Sequence, residues 1–322
     1  MNGKPEKYDY LEIWLRRSEY IDQEVLNECV RLKRGMEGEK VVLEYIEKYG
    51  RKHWKVMQNL WLDYYGTFES DLLLLTRSGI YPIEIKNYNG FFQYNHGISK
   101  LNNREISGNA IYQTRRATKK LRELIGSKFY KPHVQGVLIF VGEDNPIEVS
   151  PPIDDIDILQ RNQLKGYIQN ICEAEDHGRY QQQLDIDKVV AHLKNYEVEN
   201  PYQANPISTE EMAQLKKGIL CAKCDQATIK ISRKFVHCAC GHVELRDKAM
   251  IRTICEYGVL NFEKKLTRKD LFLFLNGQSS MRYLNRILNN YFEMVRKGKY
   301  TYYVNLKLPF YKVKYLFNEF TI

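Results

Sequence analysis

Asp71, Glu84 and Lys86 stand in two short segments that are otherwise strongly apolar, SDLLLLT (70–76) and GIYPIEIKN (79–87). Both segments read as β-strands, and Arg77-Ser78-Gly79 supplies the turn between them. Strand alternation puts Glu84 and Lys86 on one face, with Ile83 and Ile85 on the other. A tight turn centred on Arg77 and Ser78 sets Asp71 opposite Glu84, within a residue either way. Two adjacent carboxylates repel each other unless positive charge stands between them, and a divalent cation such as Mg²⁺ meets that need. A cation so held polarises a phosphodiester and lowers the pKa of an attacking water. A neighbouring ammonium orients that water or offsets charge on phosphorus. Read alone, an Asp, a Glu and a Lys at this spacing are more often a strand cap and a solvated ion pair.

Two further polar residues argue against the solvated reading. MEGEKVVLEYIEKY (36–49) has helical periodicity, with Val42, Leu43, Ile46 and Tyr49 forming its apolar stripe. Glu39 is in line with that stripe, so its carboxylate is expected on the core side of the helix. NAIYQTRRATKKLRELI (109–125) reads as a second helix, on which Gln113 lines up with Ala110, Ala117 and Leu121. An acid and an amide directed inward are costly unless something uses them.

The elements that must carry these residues form a plausible order. One or two polar helices over residues 8–33 precede the helix at 36–49, which Gly50 ends. Strands are expected at 52–62, 70–76, 79–87 and 134–141, with an aromatic, Gly- and Asn-rich loop with short strands at 88–107 before the helix at 109–125. Helix, three strands, helix, strand implies an α/β sheet flanked by helices. From 144 to 200 the chain turns acidic and helical.

The combination Gly38-Glu39, Asp71, GIYPIEIKNYNG (79–90) and NAIYQ (109–113) resembles the nuclease-related domain, NERD, a branch of the PD-(D/E)XK nuclease superfamily. The resemblance covers about residues 30–142 and implies a restriction-endonuclease-like mixed sheet flanked by helices. It implies that Glu39 is the helix acid and that Asp71 and Glu84 bind Mg²⁺ or Mn²⁺. Lys86 is then the catalytic lysine and Gln113 the polar residue of the second helix. The activity implied is metal-dependent hydrolysis of DNA; a silent, merely binding version of the fold is the alternative. Leu72 and Ala110 depart from residues frequent in the family, and neither replaces a metal ligand.

Beyond the linker-like ENPYQANPIST (199–209) lies a cysteine module, with Cys221 and Cys224 in CAKC and Cys238 and Cys240 in HCACGH. Four thiolates in two knuckles suit a structural, tetrahedral Zn²⁺ with no open position. The second knuckle is tight, so His237 or His242 is an alternative ligand. Cys29, Cys172 and Cys255 are isolated, and an odd total of 7 cysteines argues against a disulfide framework. Residues 249–322 read as three helices and a β pair. Thr267 caps a helix with Leu271, Phe272, Phe274 and Leu275 inside, and Ser279 or Ser280 caps the next, with Tyr283, Leu284, Ile287 and Leu288 inside. The pair at 297–308 resembles the wing of a winged helix, and Arg282, Asn285 and Arg286 are then the DNA-contacting residues.

The expected organisation is a NERD-like domain with N-terminal helices at 1–200, a linker at 201–217, a zinc ribbon at 218–248 and a winged-helix-like domain at 249–322. A net charge of +9 favours an anionic partner, most simply DNA. No apolar run approaches the roughly 20 residues of a membrane-spanning helix. With no apolar leader either, a cytoplasmic protein without membrane contact is expected.

Overall fold

The structure, a computed structural model, describes residues 5–129, 132–143, 145–177, 184–227, 229–297 and 300–305. It begins with two helices, α1 (Lys7–Arg17) and α2 (Gln23–Tyr49). Compact packing divides the chain into Arg31–Asn200 on one hand and Met1–Val30 with Pro201–Ile322 on the other, so the division falls within α2. The N-terminal helix α1 therefore belongs with the C-terminal residues, where a single body over 1–200 was expected. Nor does α2 break at Gly35. A lone glycine costs a helix only about 1 kcal/mol relative to alanine, which is too little to interrupt it.

In the unit Arg31–Asn200, β1 (Lys55–Asp63), β2 (Thr67–Leu75) and β3 (Ile80–Lys86) form an antiparallel meander. A second meander follows, β4 (Phe92–Asn95), β5 (Ile98–Leu101) and β6 (Arg104–Glu105), where a loop with short strands was expected. Helix α3 (Ala110–Gly126) leads to β7 (Gly136–Phe140), which pairs with β3 in parallel. Next, β8 (Ile147–Ser150) joins β4, and β9 (Ile156–Gln160) joins β7. Both strands were missed in a stretch expected to be helical, because four or five residues are too few to display a period. Helices α4 (Leu164–Asp176) and α5 (Ile186–Leu193) complete the unit.

The central sheet runs β1-β2-β3-β7-β9 and is mixed, as expected. It is covered on both sides, which is why its middle strands read as apolar runs without alternation. Leu72, Leu74, Ile83 and Ile85 pack with Val42 and Ile46 of α2 and Leu164 and Ile168 of α4. Leu73, Leu75 and Ile80 pack with Leu121 and Leu124 of α3 and Val189 and Leu193 of α5.

The other unit continues through α6 (Thr209–Gln214), β10 (Ile229–Ile231), β11 (Phe235–Cys238), β12 (Val243–Leu245), α7 (Arg246–Leu260), α8 (Arg268–Phe274) and α9 (Met281–Tyr291). The hairpin β13 (Phe292–Lys297) and β14 (Tyr300–Asn305) follows α9, starting earlier than the pair expected at 297–308; residues 298–299 and 306–308 of that expected pair lie outside the described residues. The stretch 201–217, expected as linker, carries buried Ala204, Ile207 and Leu215, and α6 is closed by a Ser208–Glu211 capping box. Thr267 and Ser280 cap α8 and α9. Val236 of the ribbon strands shares one apolar core with Ile254, Leu271, Leu284 and Ile287 of the helices.

A buried carboxylate fixes α1 to this core. Glu256 of α7 accepts Arg17 Nε at 2.9 Å and Arg16 Nη1 at 2.8 Å, and Arg252 lies 3.4 Å away. Arg17 is fully buried, and its Nη1 also donates to the carbonyls of Lys216 and Gly218 at 2.8 and 3.1 Å. Burial alone would raise the Glu256 pKa, but the three guanidiniums outweigh it and hold it at about 2. Because the folded pKa lies below the unfolded value of about 4.3, this group's contribution is complete above that value and lost as pH falls towards 2. Calorimetry of the full chain should therefore show its C-terminal transition weakening in that window. Glu256→Gln should lose about 3–5 kcal/mol at neutral pH, because it leaves buried guanidinium charge uncompensated. A variant as stable as the parent would contradict this.

Candidate active site

The pairing of β2 with β3 sets the geometry. Leu72 lies opposite Ile83, so the register carries Asp71 opposite Glu84. Alternation then places Glu69 and Asp71 of β2, with Glu84 and Lys86 of β3, on the face covered by α3. Glu84 is buried, and Lys86 Nζ donates to its Oε1 at 2.6 Å. The backbone N–H of Ile85 donates to Asp71 Oδ2 at 2.7 Å, which fixes the aspartate against the neighbouring strand.

Glu39 arrives from α2, and Gly38 explains how. A Cβ built on Gly38 would stand 3.1 Å from Val141, 3.2 Å from Asn87 and 3.3 Å from Ile85. Lacking that atom, the helix lies directly on the ends of β3 and β7. Asn87 Nδ2 secures the contact by donating to the carbonyl of Arg34 at 2.9 Å. Glu39 is half-buried, and its charge reaches Glu69.

The electrostatics record crowding of like charge. Burial, then the Glu84 carboxylate, raises the Asp71 pKa well above the usual carboxylate range. Burial, Glu84 and Glu39 push Glu69 up to about 7 against the opposing pull of Lys86. Burial disfavours the Lys86 ammonium, but Glu84 outweighs it and the lysine pKa is raised. The Tyr88 hydroxyl, raised chiefly by burial, also feels Lys86 and Glu84. Asp71 and Glu84, facing each other across two strands with a deficit of positive charge, are a carboxylate pair that suits a hard divalent cation; among the described residues, no third carboxylate lies close enough to complete a compact ligand cluster.

Glu69 was not singled out from the sequence, although ESD at 69–71 contains the signal: residues two apart in a strand share a face. Gln113 differs from expectation in the other direction, because its amide is exposed. Asn109 caps α3 through the backbone N–H of Tyr112 at 3.0 Å, and the buried stripe of the helix runs through Thr114, Leu121 and Ile125. Gln113 lies about a quarter turn from Thr114, at the border of that stripe and in the opening turn.

Residues 34–141 match the nuclease-related domain, NERD. The NERD segment contains Glu39, Glu69, Asp71, Glu84, Lys86 and Gln113 together. No curated protein and no solved structure matches the chain.

In the other unit, Cys221, Cys224, Cys238 and Cys240 converge with their sulfurs all within 4.8 Å of one another. Cys221 and Cys240 are 3.7 Å apart, and Cys224 and Cys238 are 3.5 Å apart. A tetrahedral ion with Zn–S bonds of about 2.3 Å spaces its sulfurs at about 3.8 Å, so the set fits zinc. Among the described residues, neither His237 nor His242 belongs to the cluster. On α9, Arg282 is exposed and Asn285 half-buried. Arg286 donates to Asp247 Oδ1 at 2.7 Å and lies over the Tyr283 ring. Among the described residues, no helix is long and apolar enough to cross a membrane.

A carboxyl whose folded pKa is raised destabilises the fold as pH climbs, since the folded state holds the proton longer than the unfolded chain does. For Glu69 that loss begins above about 4.3 and is complete once pH exceeds about 7. Glu69→Gln should therefore stabilise the metal-free protein at pH 8 by about 1–3 kcal/mol and change little at pH 4.5. Thermal unfolding of both proteins at the two pH values reads this directly. A loss of stability at pH 8 would contradict the crowding described.

Proposed function

We propose that the protein is a metal-dependent nuclease that hydrolyses phosphodiester bonds in DNA, with its active site where the middle of β2 meets the C-terminal end of β3. The observation that carries the reading is the register that gathers Asp71, Glu84 and Lys86 on one buried face, inside a nuclease-related segment. Asp71 and Glu84 would hold Mg²⁺ or Mn²⁺, with Glu69 and Glu39 adding negative charge nearby. A cation so bound polarises the scissile phosphate and lowers the pKa of the water that attacks it.

The chain's own residues do the rest. Lys86, kept protonated by Glu84, donates a hydrogen bond to the nucleophilic water or to a phosphoryl oxygen and fixes its direction. The backbone N–H of Ile85 holds Asp71 in place through one carboxylate oxygen. Glu39 is placed by the close seat of Gly38. Gln113, exposed at the opening of α3, is suited to contact substrate rather than to support the interior.

The cysteine cluster would hold a structural zinc, and Arg282, with Asn285 and Arg286, would approach the DNA from α9. Arg286 must first exchange Asp247 for a phosphate or base edge. A net charge of +9 favours such a partner.

One observation favours a silent, DNA-binding version of the fold. The Lys86 ammonium already occupies a Glu84 oxygen at 2.6 Å, as it would in a site where an ion pair has replaced the metal. Cleavage separates the two readings. Incubated with plasmid and linear DNA and Mg²⁺ or Mn²⁺, the parent protein should cut, and chelation should stop it. Glu84→Ala and Lys86→Ala should each lose about 10²- to 10³-fold in rate, the scale for removing an electrostatic stabiliser. Binding without cleavage by the parent protein would establish the silent reading.

A further inference from the structure

The three ribbon strands present two faces of opposite character. Ile229, Ile231 and Val236 point inward to the core shared with the helices. Glu244 is directed the same way, donated to by Arg252 Nη2 at 2.6 Å. The register pairs Lys230 with His237, His237 with Val243, and Phe235 with Leu245, so these five alternate to the outer face. There they lie open: Phe235 is 41% exposed, Leu245 45% and Val243 49%, while Lys230 and His237 are also exposed. Phe235 and His237 neighbour each other on β11 edge to face, with ring centroids 6.2 Å apart and planes at 64°.

The charged side chains that these strands and their first turn direct outward are basic. The turn between β10 and β11 adds exposed Arg233 and Lys234 to Lys230. Over residues 229–245 the only acid is Glu244, and it is turned inward. A cluster of exposed apolar side chains on a three-stranded sheet is costly to keep in water and marks a contact surface. Two neighbouring rings with a basic rim match the requirements of unpaired nucleotides, whose bases offer flat faces and whose backbone offers phosphates. Duplex DNA conceals its base faces and would gain nothing from Phe235 or His237.

We infer that the outer face of the ribbon is a binding site for single-stranded nucleic acid, with Phe235 and His237 stacking on successive bases and Lys230, Arg233 and Lys234 meeting the phosphates. Val243 and Leu245 flank the rings as apolar support. The inference shares with the proposed function only the class of partner. Its test reads binding without cleavage, so failure of one leaves the other standing or falling on its own result.

The test uses full-length, zinc-loaded protein without added Mg²⁺, and fluorescence anisotropy of labelled oligothymidylate and of a duplex of equal length. The parent should bind oligothymidylate, with affinity falling steeply as salt rises. Phe235→Ala and His237→Ala should each weaken that binding by about 5- to 150-fold while leaving duplex binding and zinc content unchanged. Phe235→Trp should retain it, and Phe235→Leu, which is apolar but not flat, should lose it. The Leu and Trp variants keep the position filled, so misfolding cannot mimic the pattern. Equal binding by the parent, Phe235→Ala and Phe235→Leu would overturn the inference. So would a face that retains a protein ligand in the Leu variant and never binds oligothymidylate, which would make it a docking surface for protein.

Discussion

Like charges crowded on one face of two neighbouring strands are the constraint around which the Arg31–Asn200 unit is arranged. Glu69, Asp71 and Glu84 share that face with a single ammonium, that of Lys86, and Glu39 adds a fourth carboxyl from α2. Burial raises the cost of this arrangement, because a carboxylate withdrawn from water needs compensating positive charge. The surroundings hold the arrangement rigidly. Leu72 to Leu75 and Ile80 to Ile85 are buried on both sides of the sheet, so the strands cannot slip by one residue without turning every charge to the opposite face. Gly38 brings α2 down onto the ends of β3 and β7, and Asn109 starts α3 just ahead of Gln113. A protein that holds its own repulsion in place in this way is suited to a ligand that relieves it.

The other unit resolves a buried charge by the opposite means. Glu256 is surrounded by Arg16, Arg17 and Arg252, so its compensation is internal and complete. That cluster ties α1 to α7 and to the chain entering the three-stranded sheet. The contrast is informative about purpose. A buried carboxylate with three guanidiniums serves architecture, whereas several with one ammonium are left available for something else.

Much of the site was legible from periodicity. Two apolar runs joined by Arg77-Ser78-Gly79 dictate a hairpin, and the hairpin dictates that Asp71 faces Glu84. The cysteine spacing likewise announced a cluster. What escaped were features that depend on more than one element. Gln113 lies in line with Ala110 and Ala117, which are buried, yet it is exposed in the opening turn, because helical alignment does not say how far along the helix the cover extends. Glu69 was passed over although strand alternation links it to Asp71, because an acid in a strand is ordinarily solvated. The short strands β8 and β9 were hidden in an acidic stretch. The attachment of α1 to the C-terminal residues rests on Arg17 meeting Glu256 across 239 positions, a distance over which sequence patterns carry no information.

The central claim is that the carboxylates of β2 and β3 form a cation site. Crystals of the full chain soaked in Mn²⁺ and measured above and below the manganese absorption edge test it most directly. An anomalous peak within bonding distance of Asp71 and Glu84, with Lys86 drawn away from Glu84, is the predicted result. A metal signal at the cysteine cluster with none between Asp71 and Glu84, and the Lys86–Glu84 pair intact, would contradict it.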